Sequence, residues 1–208
     1  MLLMKTKLQK IKPASIKDTL EKDLYRYGGR SGFWGFLSGL KIPGFRYTYF
    51  LRKAGFASRY SCYGLFYRFM LRRYIYKYGI QIPIGTQIGD GFYIGHFGNI
   101  VVNKAARIGR NCNLAQGVTI GQVNRGALSG CPVIGDNVWI GANAVIVGAI
   151  HIGNDVLIAP NSFVNFDVPS NSLVISNKCE CKSYENPTAG YINNVMGKEK
   201  LSYIADEI

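Results

Sequence analysis

From residue 82 onward a large aliphatic residue returns every six positions: Ile82, Ile88, Ile94 and Ile100, then Ile108, Leu114 and Ile120 after a shift of two, then Ile134, Ile140, Ile146, Ile152, Ile158 and Val164. That makes thirteen hexads. Two positions before many of them stands a small or β-branched residue, as at Thr86, Cys112, Val118, Val138, Ala144, Val156 and Ser162, so both positions are expected to face inward. A period of six fits neither the 3.6 of a helix nor the 2.0 of a long strand. Short strands joined by tight corners remain. Gly85, Gly89, Gly95, Gly109, Gly121, Gly135, Gly141 and Gly153 follow the aliphatic positions, where a missing Cβ is expected to let the chain turn closely. The pattern predicts a mainly β fold, a parallel β-helix of hexapeptide rungs over residues 81–175.

With three hexads per coil, residues three hexads apart stack on one edge. Positions two after each aliphatic residue then form three columns: His96, Gln116, Ala142 and Pro160; Asp90, Arg110, Asp136 and Asn154; and Ile84, Val102, Gln122, Gly148 and Phe166. Only the first combines an imidazole and an amide with small or compact residues, so a long ligand is expected along it. The stretch GQVNRGALSGCP, 121–132, interrupts the period and is too polar and glycine-rich for the core. A projecting loop, of the kind that carries function on a rigid scaffold, is expected there.

Residues 1–80 read differently. Cys62, Leu65, Phe66, Phe69 and Met70 follow helical spacing, with Arg68, Arg72 and Arg73 on or beside the other face, which predicts an amphipathic basic helix in a helical region. Its apolar face is expected to cap the open end of the β-helix. Charge sharpens this division. Residues 1–80 carry 17 Lys+Arg and 3 Asp+Glu, whereas 81–208 carry 8 and 9. Such a basic, aromatic segment suits an anionic membrane surface, while no nucleic-acid-binding motif accompanies the charge. No apolar run approaches the roughly 20 residues of a membrane span, and MLLMKTKLQK is too short and charged for a signal peptide, so a cytoplasmic location is expected, with peripheral contact at the inner face of a membrane. Five scattered cysteines do not make a disulfide framework. Cys112 is expected inside the coil, and Cys179 and Cys181 lie in a C-terminal tail, 176–208.

His96 is the candidate for chemistry. His151, the other histidine, directly precedes an inward residue and should decorate an outer face. An imidazole suits removal of a hydroxyl proton near neutral pH, and Gln116 or the loop could donate hydrogen bonds to an oxyanion.

The rungs resemble those of the hexapeptide-repeat acyltransferases, and GFYIGHFGNIVVN with NCNLAQGVTIG resembles their serine acetyltransferase branch. DLYRY and PGFRYTYFLRK are similar to that branch's helical region. The resemblance implies a left-handed triangular prism, a homotrimer, acetyl-CoA as co-substrate without a metal, and His96 as general base. It implies that the 121–132 loop reaches a neighbouring subunit and helps cover the acetyl-CoA groove. Gln116 and Cys131 are then expected on the acceptor side, with Asp23 as the helical region's substrate contact. Gly121, Gln122, Ala142 and Pro160 are expected along the acetyl-CoA arm, and Lys178 or Lys182 near its phosphates.

Departures from that branch bear on the acceptor. Gly95 stands where it has an aspartate before the histidine, Gln81 where it has the orienting aspartate, and Gly130 and Cys131 where it has an Arg-His pair. The groups that hold a free amino acid are largely missing, and leaving its charges unpaired in a closed site costs several kcal/mol. IPxxTxIGxGFYIGH resembles instead the members that acetylate sugars of bacterial surface polysaccharides. The reading is an O-acetyltransferase acting on a sugar hydroxyl. Its rivals are a serine acetyltransferase of cysteine biosynthesis and a catalytically silent trimeric scaffold. Two histidines are too few for the three-histidine metal site of a carbonic anhydrase on this fold.

Overall fold

The computed structural model describes residues 15–176 together with Ser183 and Glu185. Residues 15–176 lie in one compact unit. Four helices come first: α1 (Ile16–Tyr25), α2 (Gly32–Gly39), α3 (Pro43–Phe56) and α4 (Cys62–Tyr78). Their ends follow local chemistry. Ser15 and Ser61 cap α1 and α4 through their hydroxyls, Pro43 opens α3, and Gly79 ends α4 in the left-handed region at φ 64°.

Fourteen strands of two or three residues follow among the described residues, numbered along the chain. They stack as three parallel sheets, the faces of a triangular coil. The first holds β1 (Ile80–Gln81), β4 (Ile100–Val102), β7 (Thr119–Gly121), β10 (Val145–Val147) and β13 (Phe163–Val164). The second holds β2 (Gln87–Ile88), β5 (Arg107–Ile108), β8 (Val133–Ile134) and β11 (His151–Ile152). The third holds β3 (Tyr93–Ile94), β6 (Asn113–Leu114), β9 (Trp139–Ile140), β12 (Val156–Ile158) and β14 (Ser172–Val174). Leu114, Ile120, Ile140, Ile146, Ile158 and Val164 are buried on the axis together with Cys112, Val118 and Ala144, as the period predicts. Burial of a side chain of this size contributes about 1.5–3 kcal/mol, so the stacked aliphatic column carries much of the stability.

The glycines after the aliphatic positions have a different role from the one expected. Chain reversal at two edges is made by Asn111, Asn137, Asn143, Asp155, Asn161 and Asn171, all at positive φ, which asparagine tolerates better than most residues. Gly109 and Gly135 are instead demanded by stacking, because a Cβ on either would meet the backbone of the next coil at less than 3.0 Å.

The first coil needs an edge partner, and the helices provide one through side chains. Tyr47 accepts from Ile82 N (3.1 Å) and donates to Ile82 O (3.4 Å), and burial pushes its phenol up to about 12. Arg52 donates to Ile88 O and Gly89 O (both 2.7 Å), and Arg26 to Gly91 O (2.9 Å). Peptide groups that would otherwise end the ladder unpaired are thereby satisfied. Of the expected apolar face of α4, Met70 packs against the core and the rest does not. Gly64, Leu71, Tyr74 and Tyr78 are buried, while Cys62, Leu65, Phe66 and Phe69 are exposed.

Candidate active site

His96 stands on a bulge, and the bulge corrects the register read from the sequence. Ile94 pairs with Leu114 twenty positions on, whereas Val102 pairs with Ile120 eighteen positions on, so two extra residues lie between Ile94 and Val102. Backbone bonds locate them. Gly95 N donates to Leu114 O (3.2 Å), and Gly117 N donates to Gly98 O (2.9 Å), just as Asn143 N donates to Gln116 O (2.9 Å) one coil later. Gly98 therefore occupies the place beneath Gln116, and His96 with Phe97 is extruded from the corner. Gly98 at φ 123° and Asn99 at φ 46° bring the chain back into the coil. The shift thus falls at the histidine itself, not after Ile100. Gln116, Ala142 and Pro160 stack above as expected, but His96 stands beside their column instead of at its foot.

The bulge is exposed yet held. The Phe97 ring lies 5.6 Å from that of Tyr78, which stacks on Tyr74 at 5.3 Å and accepts from Arg46 Nη1 (3.1 Å). On the other side Tyr27 Oη accepts from Ile94 N (3.0 Å) and donates to Ile94 O (3.3 Å), fixing the strand two residues before His96. Burial pushes the Tyr27 phenol far above its ordinary value, so the donating proton stays in place. α3 reaches the same strand because Gly44 has no side chain, since a Cβ there would strike Ile94 O. The imidazole itself is exposed.

Asp23 does not face a substrate. It is fully buried, and its carboxylate accepts from Arg52 Nε (2.9 Å), Arg52 Nη2 (3.3 Å) and Phe92 N (2.8 Å). Burial pushes its carboxyl up from the ordinary range, opposed by the Arg52 charge and by these bonds. With its acceptor positions engaged and no solvent access, Asp23 joins the helices to the first coil and cannot contact an acceptor.

The remaining candidates divide between two corners. Gln116 and Pro160 are exposed and Ala142 half-buried along the ridge above the bulge. Gly121, Gln122 and Cys131 lie at the opposite edge of the first sheet, where the 121–132 segment leaves the coil. This segment is a small hairpin closed by mutual bonds between Val123 and Gly130 (3.0 and 2.8 Å) and tied to the next coil by Ala149 N donating to Leu128 O (2.9 Å). Its tip, Asn124 to Ala127, is exposed. Burial pushes the Cys131 thiol up, away from a thiolate nucleophile. Gln81 lies on the outer side of the first sheet, paired with Val101. Lys178 and Lys182, like Cys179 and Cys181, lie outside the described residues. Among the described residues no group of three His, Cys, Asp or Glu side chains could hold a metal ion.

A ridge with one exposed imidazole beside an amide, on a coil of hexapeptide rungs, invites comparison with known proteins. Residues 131–165 match the family of bacterial transferase hexapeptide (six repeats). Serine acetyltransferase of Staphylococcus xylosus is 42% identical over 97 residues, 47% of this chain and 45% of that protein, and that of Helicobacter pylori is 34% identical over 102 residues, 49% and 60%. The crystal structure of Neisseria gonorrhoeae serine acetyltransferase in complex with serine aligns at a TM-score of 0.63 and 30% identity, over 78% of this chain and 66% of that one. The soybean apoenzyme gives 0.65 and 29%, over 78% and 67%. The chain is similar to the hexapeptide-repeat transferases. It shares with these structures the left-handed β-helix and a preceding helical region, and it spans about half the length of the curated relatives it matches.

Tyr27, Arg52, Tyr78 and Phe97 were not singled out by the sequence. One signal for the bulge was present. Ile100 and Val102 are both aliphatic, so either can serve as the inward residue of that rung.

Proposed function

We propose that this protein is an acetyl-CoA-dependent O-acetyltransferase whose general base is His96. The observation that carries the reading is the extruded, solvent-facing imidazole beside a ridge of Gln116, Ala142 and Pro160 in a transferase fold. The hydroxyl of the acceptor gives its proton to the imidazole as its oxygen attacks the thioester carbonyl. The tetrahedral adduct collapses, expelling the CoA thiolate, which takes the proton back from the imidazolium. Atoms balance without an acyl-enzyme. Gln116 is a donor within the same ridge for the transient oxyanion. The hairpin lies at the other edge of the first sheet, so a homotrimer, in which one subunit's hairpin meets the ridge of the next, is the assembly that unites all of these groups.

The acceptor we propose is a sugar hydroxyl of a bacterial surface polysaccharide or its lipid-linked precursor. Gly95 offers no carboxylate, and Asp23 is engaged by Arg52, so neither gives a free amino acid's ammonium an acidic partner near His96. Serine acetylation is the second reading, supported by the names of the relatives. Thiol release from acetyl-CoA, measured with L-serine and with sugar nucleotides and oligosaccharides, separates the two. Turnover with a sugar, falling by about 10²–10⁴ in His96→Ala, is expected. Comparable kcat/KM for L-serine would overturn the sugar reading, and wild-type turnover in His96→Ala would overturn the mechanism.

A further inference from the structure

We infer that α4 is a docking face for an anionic lipid surface, on which it lies flat. At the 3.6 residues per turn of a helix, Cys62, Leu65, Phe66, Phe69, Arg73 and Tyr76 all point within roughly 60° of the direction opposite the buried Leu71. Leu65, Phe66 and Phe69 are 59%, 53% and 68% exposed, and Arg72, Arg73 and Lys77 are exposed along the same side of the helix. The other side, with Gly64, Leu71, Tyr74 and Tyr78, is already spent on α3 and the first coil. Three large apolar residues held outward within about one turn make a contiguous patch that calls for a partner.

Charge selects the partner. A second copy meeting this face symmetrically would bring Arg72, Arg73 and Lys77 against themselves. A head-to-tail copy finds little to attract it, because residues 81–208 carry 9 acidic against 8 basic side chains. A polyphosphate strand would satisfy the arginines and leave Leu65 in water. An anionic bilayer satisfies both halves: phenylalanine and leucine enter the acyl boundary, while arginine and lysine extend to the phosphates. Among the described residues no helix is long and apolar enough to cross a membrane, so the contact is with its surface.

Flotation of the full chain with vesicles tests this without any acceptor, so the outcome does not depend on which hydroxyl is acetylated. Binding to vesicles containing phosphatidylglycerol, and not to pure phosphatidylcholine, is expected at physiological salt. Phe66→Ser with Phe69→Ser, and separately Arg72→Glu with Arg73→Glu, should each weaken it about ten-fold or more. All four side chains are exposed, so an unchanged melting temperature confirms that the variants fold. Absence of binding, equal binding to neutral vesicles, or insensitivity to the phenylalanine pair would overturn the inference. So would a smaller assembly in sedimentation of that variant, which would assign the face to a second copy, or variant-sensitive binding to single-stranded RNA in place of vesicles.

Discussion

Two corners of the same coil show how one repeat makes a structural edge and a chemical one. Between the second and third sheets the chain turns the same way in each described coil. Arg110 N donates to Asp136 Oδ1 (2.7 Å), Asp136 N to Asn154 Oδ1 (2.8 Å) and Asn154 N to Ser170 Oγ (2.9 Å). Each of these side chains thus closes the backbone of the coil beneath it. Between the third and first sheets the column is Gly98, Gln116, Ala142 and Pro160, which builds no such ladder, and two residues are pushed outward at its foot. A corner that gives up regular pairing gains an exposed imidazole. The cost of that irregularity falls on the helices, which hold the bulge from both sides through Tyr27 and Tyr78.

The sharpest way to break the contrast is to delete His96 and Phe97 together. The first coil then has the eighteen-residue spacing seen from Val102 to Ile120 and from Ile140 to Ile158, so the prism is expected to melt near the wild-type temperature while acetyl transfer falls by about 10²–10⁴. Circular dichroism and thiol release read the two effects separately. Collapse of the fold would mean that the bulge is structural after all.

Asp23→Ala comes next. It strands the Arg52 guanidinium, 14% exposed, beside a buried hole, and loss of one partner of such a pair costs about 3–5 kcal/mol. Urea unfolding measures it. A change below about 1 kcal/mol would show that the first coil does not depend on the helices.

The smallest effect is expected at the regular corner. Burial raises the Asp136 carboxyl, but bonds from Arg110 outweigh it and hold the group below the ordinary carboxylate range. A depressed folded value means that the contribution is present above the unfolded value and fades as pH falls through the folded one. Asp136→Ala should therefore cost about 1 kcal/mol or less at neutral pH, given an exposed arginine partner, and nothing once the carboxylate is protonated in the wild type. Equal destabilisation at neutral and acid pH would contradict this.

The contrast between corners also marks what the sequence could reveal. Periodicity alone led to the coil, because buried aliphatic residues at Leu114, Ile140 and Ile158 leave no other repeat. It could not place the two-residue shift, since Ile100 and Val102 fill an inward site equally well. Nor could it choose the buried side of α4, where one apolar stripe ends in Tyr74 and Tyr78 and another runs through Phe66 and Phe69. Asp23 was misjudged for a related reason: its partner lies 29 residues away on another helix, and no local pattern announces an ion pair formed by tertiary contact. His96 stood out because it was a lone titratable group among glycine and aliphatic neighbours.

The parallel pairing of β9 with β12 carries a last consequence. Ile140 meets Ile158 eighteen positions on, with the same bonds above and below. Splicing one more such span there lengthens the ridge by a single strand spacing, about 4.8 Å, and leaves the imidazole and its helical clamps untouched. The molecule is in that sense a ruler with its zero mark at the histidine, and the reach of its groove can be graduated one storey at a time.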